Sequence, residues 1–388
     1  MGSLLNFIFE KTFAQHNGVQ GNNHRGPIIN EIILRHNHSR TEYWEFKEGY
    51  KNIIVFEFTS LHHFVENYQH KDKLLEIKNK GGKILFSFLS DPCYDESLED
   101  TKDWWEELDP IIIGGTPTCK FGYQFDYFIE STIEALKNAF GHKNELGYVS
   151  EKLKQNQIEF FRSNYFLCFN RQILGKYARL RLFYDYFEHN LHENSCFSWL
   201  NKFNYEQIDT TYHPLYKDIG WNEKNMRHYI SHLPMQLDTH ELPQEKLKSF
   251  MIGDTYRKDL YQNSNIHIVT ETTFDEDVLF ISEKIMRPIV MYQPFIVFGP
   301  KGYLKQLKSN GFQTFSEFWD ESYDDIDDPE QRYEKVLELI LKIKKMDILE
   351  VNDLYSKTKK VLVHNHNLSS KIPTDSLSKY FEKIENEW

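Results

Sequence analysis

Short apolar runs bounded by turn-forming residues mark the first third of the chain, at 4–9 (LLNFIF), 53–58 (IIVFEF), 84–89 (ILFSFL) and 110–113 (PIII). The stretches between them are long enough for helices, so the alternation predicts a parallel α/β sheet. One such stretch, LLEIKNK (74–80), has a helical pattern and runs into Gly81-Gly82 before the third apolar run. That order is a helix stopped by glycine and followed by a buried strand. Residues 1–150 are therefore expected to form a Rossmann-like domain.

The pattern becomes mostly helical over 130–164, with breaks at Gly141 and Gly147, and the connector proper is placed at 151–164. A second alternation follows in YFLCFN (165–170), the helical YARLRLFYDYFEHNL (177–191) and CFSWLN (196–201), ahead of an irregular middle from about 202 to 245. The stretch 265–299, NIHIVTETTFDEDVLFISEKIMRPIVMYQPFIVFG, reads as strand, acidic loop, helix and closing strand. Helical periods return in GYLKQLKSNGF (302–312) and RYEKVLELILKIKKMD (332–347). A second Rossmann-like domain is thus expected over 165–345, with final helices at 346–388 that can cross back to the first domain.

Composition agrees with two packed domains. At 388 residues the chain exceeds one ordinary core, and 40% hydrophobic with 15% aromatic residues supplies two. A net charge of −12 argues against a broad electrostatic grip on nucleic acid. The acidic runs 96–109 and 320–334 are expected on solvated surfaces. Cys93, Cys119, Cys168 and Cys196 are widely spaced and give neither a zinc pattern nor a disulfide framework, which fits a reducing, cytoplasmic setting. MGSLLNFIFEKTF reads as a first strand rather than a leader, and no apolar run reaches the roughly 20 residues needed to span a bilayer. A membrane-held acceptor would be met from the surface.

Candidate chemistry gathers where strands end and helices begin, the edge at which open α/β sheets bind ligands. Glu271 ends the strand IHIVTE, and Ser282 is placed to cap a helix whose first turn holds Glu283 and Lys284. A lysine opposes the dipole of a helix start, so its presence there suits an anion in front of it, such as a nucleotide diphosphate. Glu283 could accept hydrogen bonds from ribose hydroxyls. Asn170 and Arg171 lie at another strand end, where Arg171 can meet a phosphate, whereas Arg179 and Arg181 are expected on an outer helix face. Pro288 should leave the helix after Lys284 short or kinked. His24, in the glycine- and asparagine-rich loop 16–34, and Glu57 and Asp91 at later strand ends are the candidates for a general base, with Glu271 as a further catalytic candidate. His62 and His63 are expected on a helix surface. No D-x-D motif stands beside a strand of the second domain, and no metal is expected.

The order T-E-T … F-I-S-E-K-I-M-R-P-I … P-F-I-V-F-G resembles the donor motif of α-fucosyltransferases, which are GT-B glycosyltransferases; the core of that motif is an acid followed by Tyr-Val-Thr-Glu-Lys. The matched core covers about 35 residues, with weaker similarity in FLCFNR and GYLKQLKSNGF. The resemblance implies a GT-B fold, two Rossmann-like domains facing a central cleft, with a nucleotide sugar, of which a GDP-linked one is an example, as donor substrate and a glycan as acceptor. It implies that Glu283 binds the donor ribose, that Lys284 and Arg171 bind the diphosphate, and that Glu271 lies near the donor sugar. No further cofactor is implied. The chain departs from the motif at Phe280, where the family has tyrosine, and at Ser282, where it has threonine; the first change removes a hydroxyl, so the motif speaks for a nucleotide sugar more than for fucose. A glycosyltransferase acting on DNA or protein, of the kind found in phages and viruses, and a non-catalytic nucleotide- or glycan-binding module are the alternatives.

Overall fold

The computed structural model of the chain describes residues 5–9, 39–41, 48, 51–57, 71–88, 106–109, 111–114, 123–124, 161–208, 220–235, 237, 258–275, 279 and 281–369. It divides into two compact units, Met1–Phe128 with Asp375–Trp388, and Ile129–Thr374.

The first unit holds a six-stranded sheet. Its strands are β1 (Leu5–Phe9), β2 (Ser39–Thr41), β3 (Lys51–Glu57), β4 (Lys83–Phe88), β5 (Ile111–Gly114) and β6 (Tyr123–Gln124), in the order β2-β1-β3-β4-β5-β6. Every neighbouring pair is parallel. Helix α1 (Lys71–Asn79) stops where the glycines require it. The Gly81 N–H donates to the Lys78 carbonyl and the Gly82 N–H to that of Ile77, both at 2.8 Å, with Gly81 at φ +82°. This left-handed turn satisfies the last helical carbonyls and delivers the chain into β4.

The second unit is built on four parallel strands, β7 (Asn164–Asn170), β8 (Cys196–Trp199), β9 (Ser264–Thr270) and β10 (Phe295–Phe298), in the order β10-β9-β7-β8. All seven residues of β9 are buried, as expected of a central strand covered on both faces. Helices α2 (Tyr177–Glu188), α3 (Glu223–Ile230), α4 (Lys258–Asn263), α5 (Glu283–Val290) and α6 (Tyr303–Ser309) precede three more, α7 (Pro329–Lys344), α8 (Ile348–Lys357) and α9 (Lys359–Ser369). The two sheets wind alike: the second strand lies on one side of the first and the third on the other, so each has a switch point, β1/β3 and β7/β9.

Aromatic packing fixes the second core. Trp199 is fully buried, with Phe183 edge-on to it at 5.4 Å, and Tyr333 of α7 lies 5.1 Å from Phe298 of β10. Helix α8 packs against β7 and β9 and α9 packs against α5, so the chain from 348 to 369 covers the second unit's own sheet. Helix α7 begins at Pro329, three residues before its expected start. There the Asp328 side chain accepts from the Gln331 N–H at 2.8 Å, and proline occupies a position needing no donor.

Two surface expectations are corrected. Within 320–334, Glu321 and Asp324 are buried rather than solvated. Asp324 receives the N–H groups of Leu304 (2.8 Å) and Lys305 (2.9 Å), which caps α6, and Glu321 receives Phe315 N–H and the Thr314 hydroxyl. Backbone donors drew these acids inward. Arg179 and Arg181, expected on an outer helix face, are also buried. Arg181 ties α2 to α7 through Glu330 (3.3 Å) and Glu334, and it lies 4.3 Å from the centre of the Tyr333 ring. The run 96–109, together with His62, His63, Cys93 and Cys119, falls wholly or largely outside the described residues. Cys168 and Cys196 are free thiols, and burial pushes Cys168 up to about 12.

His267, in the middle of β9, lies 5.7 Å from the rings of both Phe169 and Tyr261. Burial, and after it the charge of Arg287, lowers His267 to about 3 from 6.5. Below about 6.5 the unfolded chain binds a proton there that the folded chain refuses. Stability is therefore complete above that pH and falls on acidification by about 1.4 kcal/mol per unit until the folded value is reached. Urea unfolding at pH 7 and pH 5 should show the native protein losing about 2 kcal/mol more than His267→Gln. Equal losses would show that His267 does not carry the effect.

Candidate functional site

The carboxyl edge of the second sheet at the β7/β9 switch point collects most of the residues singled out in the sequence. Asn170 ends β7 and Thr270 ends β9, and the Thr270 hydroxyl donates to Asn170 Oδ1 at 2.6 Å across the two strands. Asn170 Nδ2 donates to Cys168 Sγ at 3.1 Å. Its amide is thus engaged on both sides and fastens the strand ends, leaving ligand contact to its neighbours.

Arg179 completes the fastening. From α2 its Nη2 donates to the carbonyls of Thr270 and Glu271, each at 3.0 Å, and its Nη1 to that of Gln172 at 3.2 Å. Strands that stop at a sheet edge leave carbonyls without ladder partners, and a planar guanidinium can serve several at once. That need, invisible in the helical period of 177–188, is why Arg179 turns inward.

Glu271 follows β9 with its side chain fully buried. Its Oε1 accepts from the Tyr303 hydroxyl at 2.5 Å and from the Ser282 N–H at 3.3 Å, and its Oε2 accepts from the Ser282 hydroxyl at 2.5 Å. The carboxylate is therefore turned into the protein, occupied by three donors. It organises the site from behind, and the geometry does not suit the catalytic role or the sugar contact expected of it.

Ser282 caps α5 as the sequence suggests: its hydroxyl accepts from the Lys284 N–H at 3.3 Å. The same oxygen accepts from Lys284 Nζ at 3.0 Å, Thr272 Oγ1 accepts from that ammonium at 3.1 Å, and Glu271 Oε2 stands 3.9 Å away. Lys284 is a quarter exposed, so its charge is braced by neighbouring oxygens while remaining open to solvent. It sits at the start of a helix whose free N–H groups and dipole favour an anion. Pro288, inside α5, withholds the donor that would have met the Lys284 carbonyl, and the helix ends at Val290.

Arg171, the residue after Asn170, is exposed and has no hydrogen-bond or ion-pair partner among the described residues. The β7/β9 register, Leu167 opposite His267, carries forward to place it opposite Glu271, just past the strand ends. Glu283 opens α5, but its side chain, like that of Glu57 at the end of β3, lies outside the described residues. His24 and Asp91 lie wholly outside them, as does Phe280. Among the described residues no group of three His, Cys, Asp or Glu side chains could hold a metal ion.

Tyr303 and Thr272 belong to the site and were not singled out in the sequence. A Cβ on Gly299 would come within 3.0 Å of the Tyr303 ring, so glycine there leaves room for the ring to lie over the turn and reach Glu271. The sequence signal was a glycine-bearing turn after a buried strand, followed at once by a helix opening on tyrosine.

No protein-family model and no curated protein sequence matches the chain. Among solved structures it is similar to the trehalose-6-phosphate synthase OtsA, at 13% identity over 88% of this chain and 73% of that chain, with a TM-score of 0.39. It is also similar to a UDP-forming α,α-trehalose-phosphate synthase from Burkholderia xenovorans (10% identity, 87% and 73% of the two chains, TM-score 0.38). An α,α-trehalose 6-phosphate synthase from Burkholderia multivorans is a third such structure (9% identity, 87% and 72%, TM-score 0.37).

Proposed function

We propose that the chain is a glycosyltransferase of the GT-B type that moves a sugar from a nucleotide-sugar donor to a glycan acceptor. The observation that carries this reading is Lys284: an ammonium braced by Thr272 and Ser282, partly open to solvent, at a helix start beside a topological switch point. When the bond between the anomeric carbon and the diphosphate oxygen breaks, negative charge builds on the departing diphosphate. Lys284, the α5 N–H groups and Arg171 are the cationic and dipolar groups assigned to that charge. Glu283, by its resemblance to the family motif, is assigned the ribose. The acceptor hydroxyl loses its proton to a base, for which His24, Asp91 and Glu57 are the candidates.

The fucosyltransferase-like motif favours a GDP-linked donor, and the cations supplied by the chain favour leaving-group stabilisation without a divalent ion. No described helix is long and apolar enough to cross a membrane. Thermal-shift measurements against UDP, GDP, ADP and pyrophosphate test the reading. A cognate nucleotide diphosphate at about a hundredfold excess over Kd should raise Tm by about 5 °C or more. A response to GDP alone would support the fucosyltransferase-like donor, a response to UDP would reassign the base, and no response to any of them would overturn the proposal.

A further inference from the structure

A second cleft, with a volume of about 1090 Å³, opens between the chain leaving α6 and the junction of α8 with α9. Helix α6 returns from the carboxyl end of β10, so its last turn, with Lys308, lies toward the amino edge of the sheet, away from Lys284. We propose that this cleft binds an acidic oligosaccharide.

Lys308, Lys357, Lys359 and Lys360 line the cleft against one lining carboxylate, Glu317, in a chain whose net charge is −12. Lys308 stands 3.8 Å from Glu321, and Lys357 pairs with Asp353 at 2.6 Å. Lys359 and Lys360 have no ion-pair partner among the described residues, and both fall in the first turn of α9, where positive charge opposes the dipole. Three lysines within four positions repel one another, and a concave surface concentrates their field. An anionic ligand would relieve both penalties.

The wall is rigid enough to recognise a shape. Asn365 accepts from the Gln313 N–H and donates to the Gln313 carbonyl, both at 2.8 Å, while His364 Nε2 meets the Gly311 carbonyl at 2.9 Å. These bonds hold the loop after α6 against α9. Charge alone would suit any polyanion, but the lining also contains the half-buried ring of Phe318 and the exposed polar side chains of Gln313, Ser316 and Ser356. An aromatic face with amide and hydroxyl groups beside it matches the apolar faces and hydroxyls of sugar rings, and the ammonium groups match carboxylates carried on them.

Isothermal titration of the full chain with tetragalacturonate, maltotetraose and tripolyphosphate tests the inference. Tetragalacturonate should bind, and more tightly than either control. Its affinity should fall by about tenfold or more in the Lys357→Ala/Lys360→Ala double variant, and in the native protein as salt is raised. Nucleotide affinity should be unchanged in that variant, which separates this cleft from the site at Lys284. The proposal is overturned by no binding, by equal affinity for maltotetraose, by tripolyphosphate binding as tightly, or by full affinity in the double variant.

Discussion

Replacing Lys284 with alanine is expected to lower kcat/KM for glycosyl transfer by about a hundredfold or more, the scale seen when one preorganised group facing developing charge is removed. The fold should tolerate the change. Glu271 keeps its three donors from Ser282 and Tyr303, and the lysine itself is a quarter exposed, so unfolding midpoints should move little. The loss should exceed the weakening of nucleotide diphosphate binding, because charge on the leaving group is greatest in the transition state. Lys284→Arg should recover part of the activity by restoring the charge without the geometry. Unchanged kinetics in the alanine variant would remove Lys284 from the chemistry.

The second large effect is structural. Glu271→Ala should cost about 3 kcal/mol or more, because it leaves the Tyr303 hydroxyl and the Ser282 donors facing a cavity and removes the anion beside Lys284. Glu271→Gln preserves the shape and one carbonyl acceptor, so it should lose less stability. In both variants Lys284 keeps Thr272 and Ser282 but loses the carboxylate behind it, and donor turnover should fall along with stability. Chemical denaturation followed by kinetics on the folded fraction separates the two losses. A stable, fully active Glu271→Ala would show that the buried network is dispensable.

The sequence made most of the second unit legible because its strands are short, continuous apolar runs. The runs at 165–170 and 295–299 became β7 and β10 within a residue at each end. The first sheet followed in the same way, with Gly81-Gly82 marking the end of α1. Ser282 was legible as a cap because the hydroxyl, the charged first turn and the proline together define a short helix. The roles of Glu271 and Arg179 were not. A strand-end acid looks the same in one dimension whether it faces solvent or a tyrosine 32 residues later, and only the packing of α6 after β10 decides. Arg179 sits on a helix whose period assigns it outward, and the unsatisfied carbonyls that draw it inward come from residues about 90 positions away. Glu321 and Asp324 were hidden in the same way, inside a run whose overall charge suggests solvent while two of its members cap backbone amides.

The Asn170–Thr270 bond has a consequence for how a ligand would be received. Together with Arg179 it ties the two strand ends that flank the switch point, which opposes their splaying apart. The conformational entropy of that wall is surrendered when the chain folds, before any ligand arrives. A ligand at this edge would meet a wall that is already fixed, and adaptation to it would fall to the side chains of Arg171 and Lys284.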